Sequence, residues 1–385
     1  MIDFTPTDDQ LALQEMAREF AEKEMRPKAA RYDQGHEFPE DVMRKAFEVG
    51  FLTCTIPADL GGGGLGDLET AIISEELCRG CAGMYTTMMA NSLAFAPILI
   101  AGSPEQKKKF LTPFTQKMAF ASYCLTEREA GSDNAAIKTT AKKVGAEYVL
   151  NGSKCFITNG GVASLYVVFA NAAPEKGLRG LSAFIVPRET PGITVGKVED
   201  KMGHRASNTT ELFFEDVRIP AENLVGRVGA GFLIAMKTFD KTRADVGAAG
   251  VGLARAALEY AVEYAKTRVQ FGKPIATFQA IMFKIADMAT EIDAARLLVW
   301  RAAWLADHGK PCGRESAMAK LFGTDLGMRV TTEALQIFGG YGYMRDYPVE
   351  KLMRDAKLLQ IYEGTNEIQR LVIGREVVGP IRERK

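Results

Sequence analysis

Glu363 is the residue in this sequence best placed to do chemistry. It lies one residue before Gly364 in RDAKLLQIYEGTNEIQRLVIGRE, at a break between an apolar segment and a helix that begins near Thr365. A glycine at such a break permits a tight turn, so the carboxylate is expected to project from a loop. The same pattern also suits a surface glutamate near the favourable N-terminal end of a helix. The residues alone therefore leave both interpretations open.

A second stretch, ADLGGGGLGDLE, places Gly61, Gly63 and Gly66 at the G-x-G-x-x-G spacing of dinucleotide-binding loops. That motif requires a strand before the first glycine and a helix after the last. Here the residues before it (39–50) and after it (67–80) both have helical periodicity. We therefore predict a loop between two helices that binds no nucleotide.

Cys78 and Cys81 have the C-x-x-C spacing of redox and zinc sites. The sequence has no second such pair, and its three histidines, His36, His204 and His308, are scattered. We therefore predict buried or half-buried free thiols and no metal site.

The elements that would position these residues change character twice along the chain. Residues 1–117 have helical periodicity and begin with Thr7 and Gln10 at capping-box spacing. Residues 118–228 contain short β-rich runs separated by Gly, Pro and Asn, which predict a compact β-domain. Residues 229–385 return to long helical patterns, three long and one shorter, which predict a helical bundle.

One turn in the β-domain has a specific signature. The run EYVLNGSKCFITN places Asn151 and Gly152 between two β-rich segments. This dipeptide favours a type I′ turn, so the run predicts a hairpin that reverses at Asn151 and Gly152.

The composition is that of an ordinary globular protein. Lys and Arg together number 48, as do Asp and Glu, and 47% of the 385 residues are hydrophobic. The charge balance argues against a broad nucleic-acid surface, and no run of about 18 apolar residues indicates a membrane span. The acidic, amphipathic start MIDFTPTDDQLALQEMAREF is unlike a signal peptide, so a cytoplasmic location is expected.

Six motifs together resemble the acyl-CoA dehydrogenase family, nearly from end to end. They are LTEREAGSD, NGSKCFITNGG, FDKTR, RVQFGKPI, QIFGGYGYMRDYPVEKLMRDAK and QIYEGTNEIQR. The resemblance implies an α+β fold with an N-terminal helical domain, a central β-barrel-like domain and a C-terminal four-helix bundle. It also implies FAD held between the last two domains, an acyl-CoA substrate, an electron-transferring flavoprotein as partner and a homotetramer.

The reaction that the resemblance implies is α,β-dehydrogenation of an acyl-CoA thioester. In that reaction a carboxylate removes the α-proton, and the β-hydrogen leaves as hydride to flavin N5. Glu363 matches the family's base in YEGT. Some relatives carry the base on a neighbouring helix, where this sequence has Thr242, which cannot serve as a carboxylate. The developing enolate oxygen needs preorganised donors, which in relatives include the backbone N–H of the catalytic Glu.

The resemblance also assigns binding residues, motif by motif. The residues assigned to FAD are Tyr123, Leu125, Thr126, Phe156, Ile157, Thr158, Arg268, Gln270, Phe271, Gln336, Phe338, Gly339, Gly340, Thr365 and Glu367, with Arg268, Gln270 and Phe271 reaching FAD from a neighbouring subunit. The residues assigned to the substrate are Ser132, Asp240, Arg243, Gly364, Met88 and Asn91.

Two features bear on the substrate. Arg128 stands where relatives usually have proline, which adds a cation near the flavin entrance. Residues 84–95 are rich in methionine and contain no acidic residue, and Asn91 is neutral and so is not assigned as a base. An apolar, adaptable pocket is expected, suited to short- or medium-chain or alicyclic acyl groups. A flavin-dependent acyl-CoA oxidase and a non-catalytic acyl-CoA-binding homologue are the alternatives.

Overall fold

The computed structural model describes residues 4–380. Within this range the chain forms six N-terminal α-helices, then eight strands, then five C-terminal α-helices that include a small two-stranded hairpin after the first. This succession of helical, sheet and helical regions is the predicted one.

The N-terminal region begins with a capped helix. Its helices are α1 (Asp8–Phe20), α2 (Arg26–Gly35), α3 (Glu40–Glu48), α4 (Asp67–Gly80), α5 (Ala82–Ala101) and α6 (Pro104–Gln116). The hydroxyl of Thr7 accepts from the Gln10 amide at 3.2 Å, and the Gln10 side chain accepts from the Thr7 amide at 3.1 Å. The predicted capping box is therefore confirmed.

The glycine-rich stretch joins helical segments, as predicted. It follows a short 3-10 turn, Ala58–Leu60, and ends where α4 begins. A Cβ atom at Gly62 would lie 2.1 Å from the carbonyl oxygen of Ile56, and one at Gly63 would lie 2.9 Å from that of Cys54. These glycines are thus required for close backbone packing, which gives the glycine run a structural reason.

The central region is one sheet. Its strands are β1 (Ala121–Cys124), β2 (Thr140–Val144), β3 (Glu147–Thr158), β4 (Leu165–Asn171), β5 (Leu181–Pro187), β6 (Ile193–Val198), β7 (Thr209–Pro220) and β8 (Leu224–Val225). The strand order is β6-β7-β3-β2-β4-β5-β8, and β1 pairs in parallel with β4. Strand β1 pairs with the first residues of β4 and also contacts β3. The end of β1 therefore lies near β3 and its partner β2.

The hairpin prediction at Asn151 and Gly152 is wrong. The chain reverses between Val144 and Glu147, which are paired residues of β2 and β3. Gly152 instead lies inside β3, where the register to β7 shifts. A Cβ atom at Gly152 would approach the hydroxyl oxygen of Thr139 to 2.5 Å, so this glycine serves a bulge and not a turn.

The C-terminal region is built on one long helix. It comprises α7 (Gly231–Thr267), the hairpin β9 (Val269–Gln270) and β10 (Lys273–Pro274), then α8 (Gln279–Asp307), α9 (Gly313–Phe338), α10 (Val349–Leu359) and α11 (Asn366–Val378). Helix α7 packs most extensively against α9. A Cβ atom at Gly250 would lie 2.3 Å from the carbonyl oxygen of Gly323, so glycines bring these helices into backbone contact.

Charged and apolar contacts join the N-terminal helices to the rest of the protein. Glu75 on α4 accepts from Arg255 on α7 at 2.6 Å and from Arg296 on α8 at 2.8 Å.

Helix α5 has the length and hydropathy of a membrane-spanning helix, and 78% of its most apolar window is buried inside the protein, as in a core helix. The six cysteines are free thiols, and Cys312 alone among them is not fully buried.

Candidate active site

The loop between α10 and α11 presents Glu363 in an unusual backbone conformation. Glu363 has φ 52° and Gly364 has φ 89°, so two successive residues are left-handed. A glutamate in this region is uncommon and requires support from its surroundings. Thr365 then caps α11 by accepting a hydrogen bond from the Ile368 amide. Glu363 therefore projects from the loop, as the sequence predicts, and does not lie on a helix face.

The carboxylate of Glu363 meets α7. The hydroxyl of Thr242 donates a hydrogen bond of 2.5 Å to Oε2 of Glu363. Thr242 is buried, whereas Glu363 keeps partial contact with solvent. Thr242, at the helix position where some relatives carry the base, thus donates a hydrogen bond to the carboxylate of Glu363.

The surroundings of Glu363 affect its pKa in opposite directions. Burial raises the pKa of Glu363 above its ordinary value, and the Thr242 hydrogen bond and the charges of Arg243 and Lys320 oppose that rise. A carboxylate with a raised pKa is a stronger proton acceptor.

The backbone N–H of Glu363 is free to act as a donor. It has no hydrogen-bond partner among residues 4–380, although the neighbouring Tyr362 N–H bonds the Leu358 carbonyl at 3.1 Å. A free amide beside a carboxylate supplies the kind of donor that a developing oxyanion requires.

Arg243 and Asp240, both assigned to the substrate, lie together on α7. Arg243 Nη1 donates to Asp240 Oδ1 at 3.3 Å, and Arg243 is buried. A Cβ atom at Gly364 would lie 3.9 Å from Arg243 Nη2, so this guanidinium borders the Glu363 loop. Ser132 is exposed beyond the end of β1. The structure thus brings three of these residues together, and Ser132 stays apart.

The methionine-rich segment lies on α5 and is deeply buried. Met88 is fully buried, so a substrate contact for it stays a prediction. Asn91 is also fully buried, and its Oδ1 accepts from the Ala121 amide at 2.8 Å while its Nδ2 donates to the carbonyls of Leu52 and Ala119. Both ends of this amide are therefore used to fix α5 against β1, and this arrangement gives the predicted substrate contact of Asn91 no support.

Residues for an aromatic cofactor converge where β1 ends beside β3. Phe156 is 66% exposed at φ 58°, an unusual position for a large apolar side chain. The Cys155 amide bonds the Thr126 carbonyl at 3.0 Å, which joins the two predicted segments. Half-buried Tyr123 has a buried hydroxyl with no hydrogen-bond partner among the described residues. Leu125 and Ile157 are buried, and Thr158 is partly exposed.

A cavity of about 480 Å³ collects a second group of the residues predicted to bind FAD. Its walls include Arg268, Gln270, Phe338, Gly339 and Gly340. A Cβ atom at either glycine would meet nothing within 4 Å, so the backbone there is open to a ligand. A cation beside open backbone suits a phosphate.

Four of the predicted cofactor residues, Phe338 among them, have surroundings that differ from those above. The ring of Phe338 stacks on Tyr264 with centroids 4.1 Å apart, so it serves mainly as packing. Phe271, in the β9–β10 turn, is 93% exposed and contacts only the ring of Phe278 among aromatic residues described. Glu367 and Gln336 are exposed on α11 and α9. The ring of Phe271 is therefore almost fully open to solvent in the single chain.

Two separate groups of residues fit parts of a flavin nucleotide. An exposed ring at Phe156 and the half-buried Tyr123 suit a flat aromatic group, and the glycine-walled cavity with Arg268 suits a diphosphate. The side chain of Arg128 is 85% exposed and pairs with Glu211 at 3.5 Å.

Comparison with known proteins decides the family. The sequence matches the N-terminal domain of acyl-CoA dehydrogenase over residues 7–117, the middle domain over 122–217 and the C-terminal domain over 229–378. The chain belongs to the acyl-CoA dehydrogenase family. The family predicted from the six motifs is thereby confirmed, and so are the fold class and FAD as the cofactor of this acyl-CoA dehydrogenase.

Individual relatives cover nearly the whole acyl-CoA dehydrogenase chain. The mitochondrial short-chain specific acyl-CoA dehydrogenase of Rattus norvegicus is 48% identical over 362 residues, which are 94% of this chain and 88% of that protein. Butyryl-CoA dehydrogenase of Megasphaera elsdenii superposes with a TM-score of 0.96 at 45% identity, covering 98% and 100% of the two chains. A chain in a structure of the electron transferring flavoprotein of Acidaminococcus fermentans superposes with a TM-score of 0.96 at 47% identity, with the same coverage.

Sequence reasoning missed several residues around Glu363. Lys320, Asn366 and Gln369 support the loop from behind, and Asp245 lies one helical turn beyond Thr242. Lys320 had a detectable pattern, since it is a single cation in the otherwise uncharged stretch SAMAKLFG of a helix. Asn366 and Gln369 lie within the motif QIYEGTNEIQR, and Asp245 lies outside the six motifs, but the contacts of all three join distant parts of the chain.

Proposed function

We propose that this acyl-CoA dehydrogenase oxidises short- or medium-chain acyl-CoA thioesters, with Glu363 as the base that removes the α-proton. The observation that carries the proposal is the left-handed loop that points a carboxylate of raised pKa at the Thr242 hydroxyl. The similarity to the short-chain specific dehydrogenase of Rattus norvegicus and to the butyryl-CoA dehydrogenase of Megasphaera elsdenii supports the short-chain range.

The chain supplies three contributions to this chemistry. Glu363 accepts the α-proton, and Thr242 keeps the carboxylate oriented before and after the transfer. The free amide of Glu363 is a donor for the thioester oxygen as negative charge develops there. Arg243, buried beside the loop, adds positive charge near the same centre. FAD, when bound by the residues around Phe156 and the glycine-walled cavity, supplies the acceptor for the electrons released from Cβ.

Asp245 bears on which acyl groups the site accepts. It lies three residues after Thr242, so it is on the same face of α7, and its Oδ1 is buried with no hydrogen-bond partner among the described residues. Burial raises the pKa of Asp245 well above its ordinary range, and the charge of Glu363 adds to this rise. We infer that this buried carboxyl is uncharged at neutral pH. It therefore supplies no positive charge to pair with a second carboxylate on the acyl tail, and residues 84–95 contain no basic residue that could do so.

The partner and assembly proposals rest on less direct support. The relative found in a structure of an electron transferring flavoprotein supports such a flavoprotein as the electron acceptor. The exposure of Phe271 supports a homotetramer in which this ring reaches the FAD of a neighbouring subunit. An alicyclic substrate and a cytoplasmic location stay predictions from the sequence.

The proposal is tested by mixing the purified FAD-loaded protein with butyryl-CoA without oxygen, and then adding electron-transferring flavoprotein or air. We expect the flavin absorbance to bleach and then to recover rapidly with the flavoprotein and slowly with air, without stoichiometric peroxide. Rapid recovery in air with peroxide would instead identify an oxidase. No bleaching with butyryl-, octanoyl-, cyclohexanecarbonyl-, glutaryl- or palmitoyl-CoA would indicate a non-catalytic homologue.

A further inference from the structure

Lys320 is a buried cation directly behind the loop of Glu363. It lies on α9 and is 0% exposed. Its ammonium donates to the carbonyl oxygen of Gly364 at 2.9 Å and to Oδ1 of Asn366 at 2.7 Å. Both acceptors belong to the four residues 363–366, so one side chain holds the loop at two points.

Further contacts complete the support on this side of the loop. The amide of Gln369 donates to the Gly364 carbonyl at 2.7 Å, so that carbonyl accepts two hydrogen bonds. The Asn366 amide donates to the Thr324 hydroxyl at 2.9 Å and to Asp325 at 2.6 Å. The loop is therefore tied to both α9 and α11 beside its left-handed residues.

This support matters because the loop conformation is unfavourable by itself. A glutamate at φ 52° persists only where its surroundings determine the backbone. Lys320 bonds the carbonyl of the residue directly after Glu363, and so it constrains the direction in which the Glu363 side chain leaves the loop.

The charge of Lys320 also acts on Glu363. Burial lowers the pKa of Lys320 to about 7, while the charges of Glu363, Asp325 and Glu367 raise it and that of Arg243 lowers it. The titratable groups that face Glu363 are Arg243 and Asp245 on α7, Tyr123 on β1, Tyr362 in the loop and Lys320 on α9. Among them Lys320 and Arg243 are the cations, and both lower the pKa of Glu363.

We propose that Lys320 is a positioning residue for this reaction: its ammonium fixes the 363–366 loop, and its charge favours the ionised form of Glu363. The inference rests on the proposed role of Glu363 as the base.

The test compares Lys320→Met with Lys320→Arg and with a control, Lys201→Met. Lys201 is a partly buried lysine whose ammonium, like that of Lys320, bonds a carbonyl, here that of Ser207. Its charged neighbours are Glu199, Asp200 and Arg205. The measurements are kcat, KM and the pH dependence of kcat/KM with butyryl-CoA. The protonated-carboxyl infrared band that Glu363→Gln removes is followed against pH as a readout independent of turnover.

We expect Lys320→Met to lower kcat about 100-fold with a small change in KM, as for a misplaced catalytic group. Its acid limb of kcat/KM and its carboxyl band should both move to higher pH, because a cation that favours the carboxylate is gone. Lys320→Arg should keep both near their wild-type positions, as should Lys201→Met.

A Lys320→Met protein with the wild-type acid limb and carboxyl band would overturn the inference, even if its thermal stability fell. In that case an inactive Glu363→Gln protein would leave the proposed function standing. An active Glu363→Gln protein would instead overturn the proposed function.

Discussion

Thr242 on α7 and Glu363 in the α10–α11 loop are joined by a hydrogen bond of 2.5 Å. The contact links the longest helix of the C-terminal region to a loop residue that lies 121 positions later in the chain. Its consequence is that the helix provides a donor, and the loop provides the carboxylate, at the same point of the site.

Removing this donor should change the pH at which the enzyme works. The Thr242 hydrogen bond lowers the pKa of Glu363, so Thr242→Val should raise it and move the acid limb of kcat/KM to higher pH. Loss of a hydrogen bond to a charged group is expected to reduce kcat/KM about tenfold at neutral pH. Thr242→Ser, which keeps the hydroxyl, is the control. An acid limb that stays in place in Thr242→Val would refute this role.

The raised pKa of Glu363 predicts that its ionised carboxylate lowers the stability of the folded protein. An ionised carboxylate with a raised pKa costs folding free energy at pH values above that pKa, and the cost disappears below the pKa of the unfolded carboxyl. Glu363→Gln should therefore melt at a higher temperature than wild type at pH 8, and the difference should vanish toward pH 4. A difference that grows toward acid pH would have the wrong sign.

Phe271 tests the proposed assembly. Its ring is 93% exposed, so Phe271→Ala should leave the melting temperature of the FAD-free protein unchanged. If the ring contacts FAD in a neighbouring subunit, the variant should bind FAD roughly 3- to 10-fold more weakly, as expected for one aromatic contact. Phe4→Ala, another exposed aromatic at 63%, is the control. Equal FAD affinity for all three proteins would argue against this contact.

The uncharged segment 84–95 predicts which acyl groups are rejected. A buried methylene contributes about 0.8 kcal/mol, so kcat/KM should rise with chain length until the pocket is full and then fall. We expect butyryl-, octanoyl- or cyclohexanecarbonyl-CoA to be preferred over palmitoyl-CoA, and glutaryl-CoA to be poor. Because a buried carboxyl with a strongly raised pKa is uncharged at neutral pH, Asp245→Asn should leave the preference for butyryl-CoA over glutaryl-CoA unchanged. Efficient use of glutaryl-CoA by the wild-type protein would contradict the proposal.

The sequence predicted the features that local patterns determine. The Thr7–Gln10 capping box, the projecting Glu363 and the helical setting of Gly61–Gly66 each follow from residues close together in the chain. The hairpin at Asn151 and Gly152 failed because a glycine in a strand also serves a bulge, and only the register to β7 distinguishes the two.

The contacts of the site were harder to predict. Asn91 looked like a pocket residue, yet its amide is used by Leu52, Ala119 and Ala121, which approach it only in the folded protein. Lys320 reaches a loop 44 residues away in sequence, and no local pattern specifies such a contact.

The central claim is that Glu363 removes the α-proton, and anaerobic single-turnover bleaching of the flavin by butyryl-CoA tests it most directly. Glu363→Gln keeps the size and hydrogen bonding of the side chain but cannot accept the proton, so it should bind FAD and acyl-CoA while its bleaching rate falls by several orders of magnitude. A Glu363→Gln protein that bleaches at more than a tenth of the wild-type rate would show that another residue is the base.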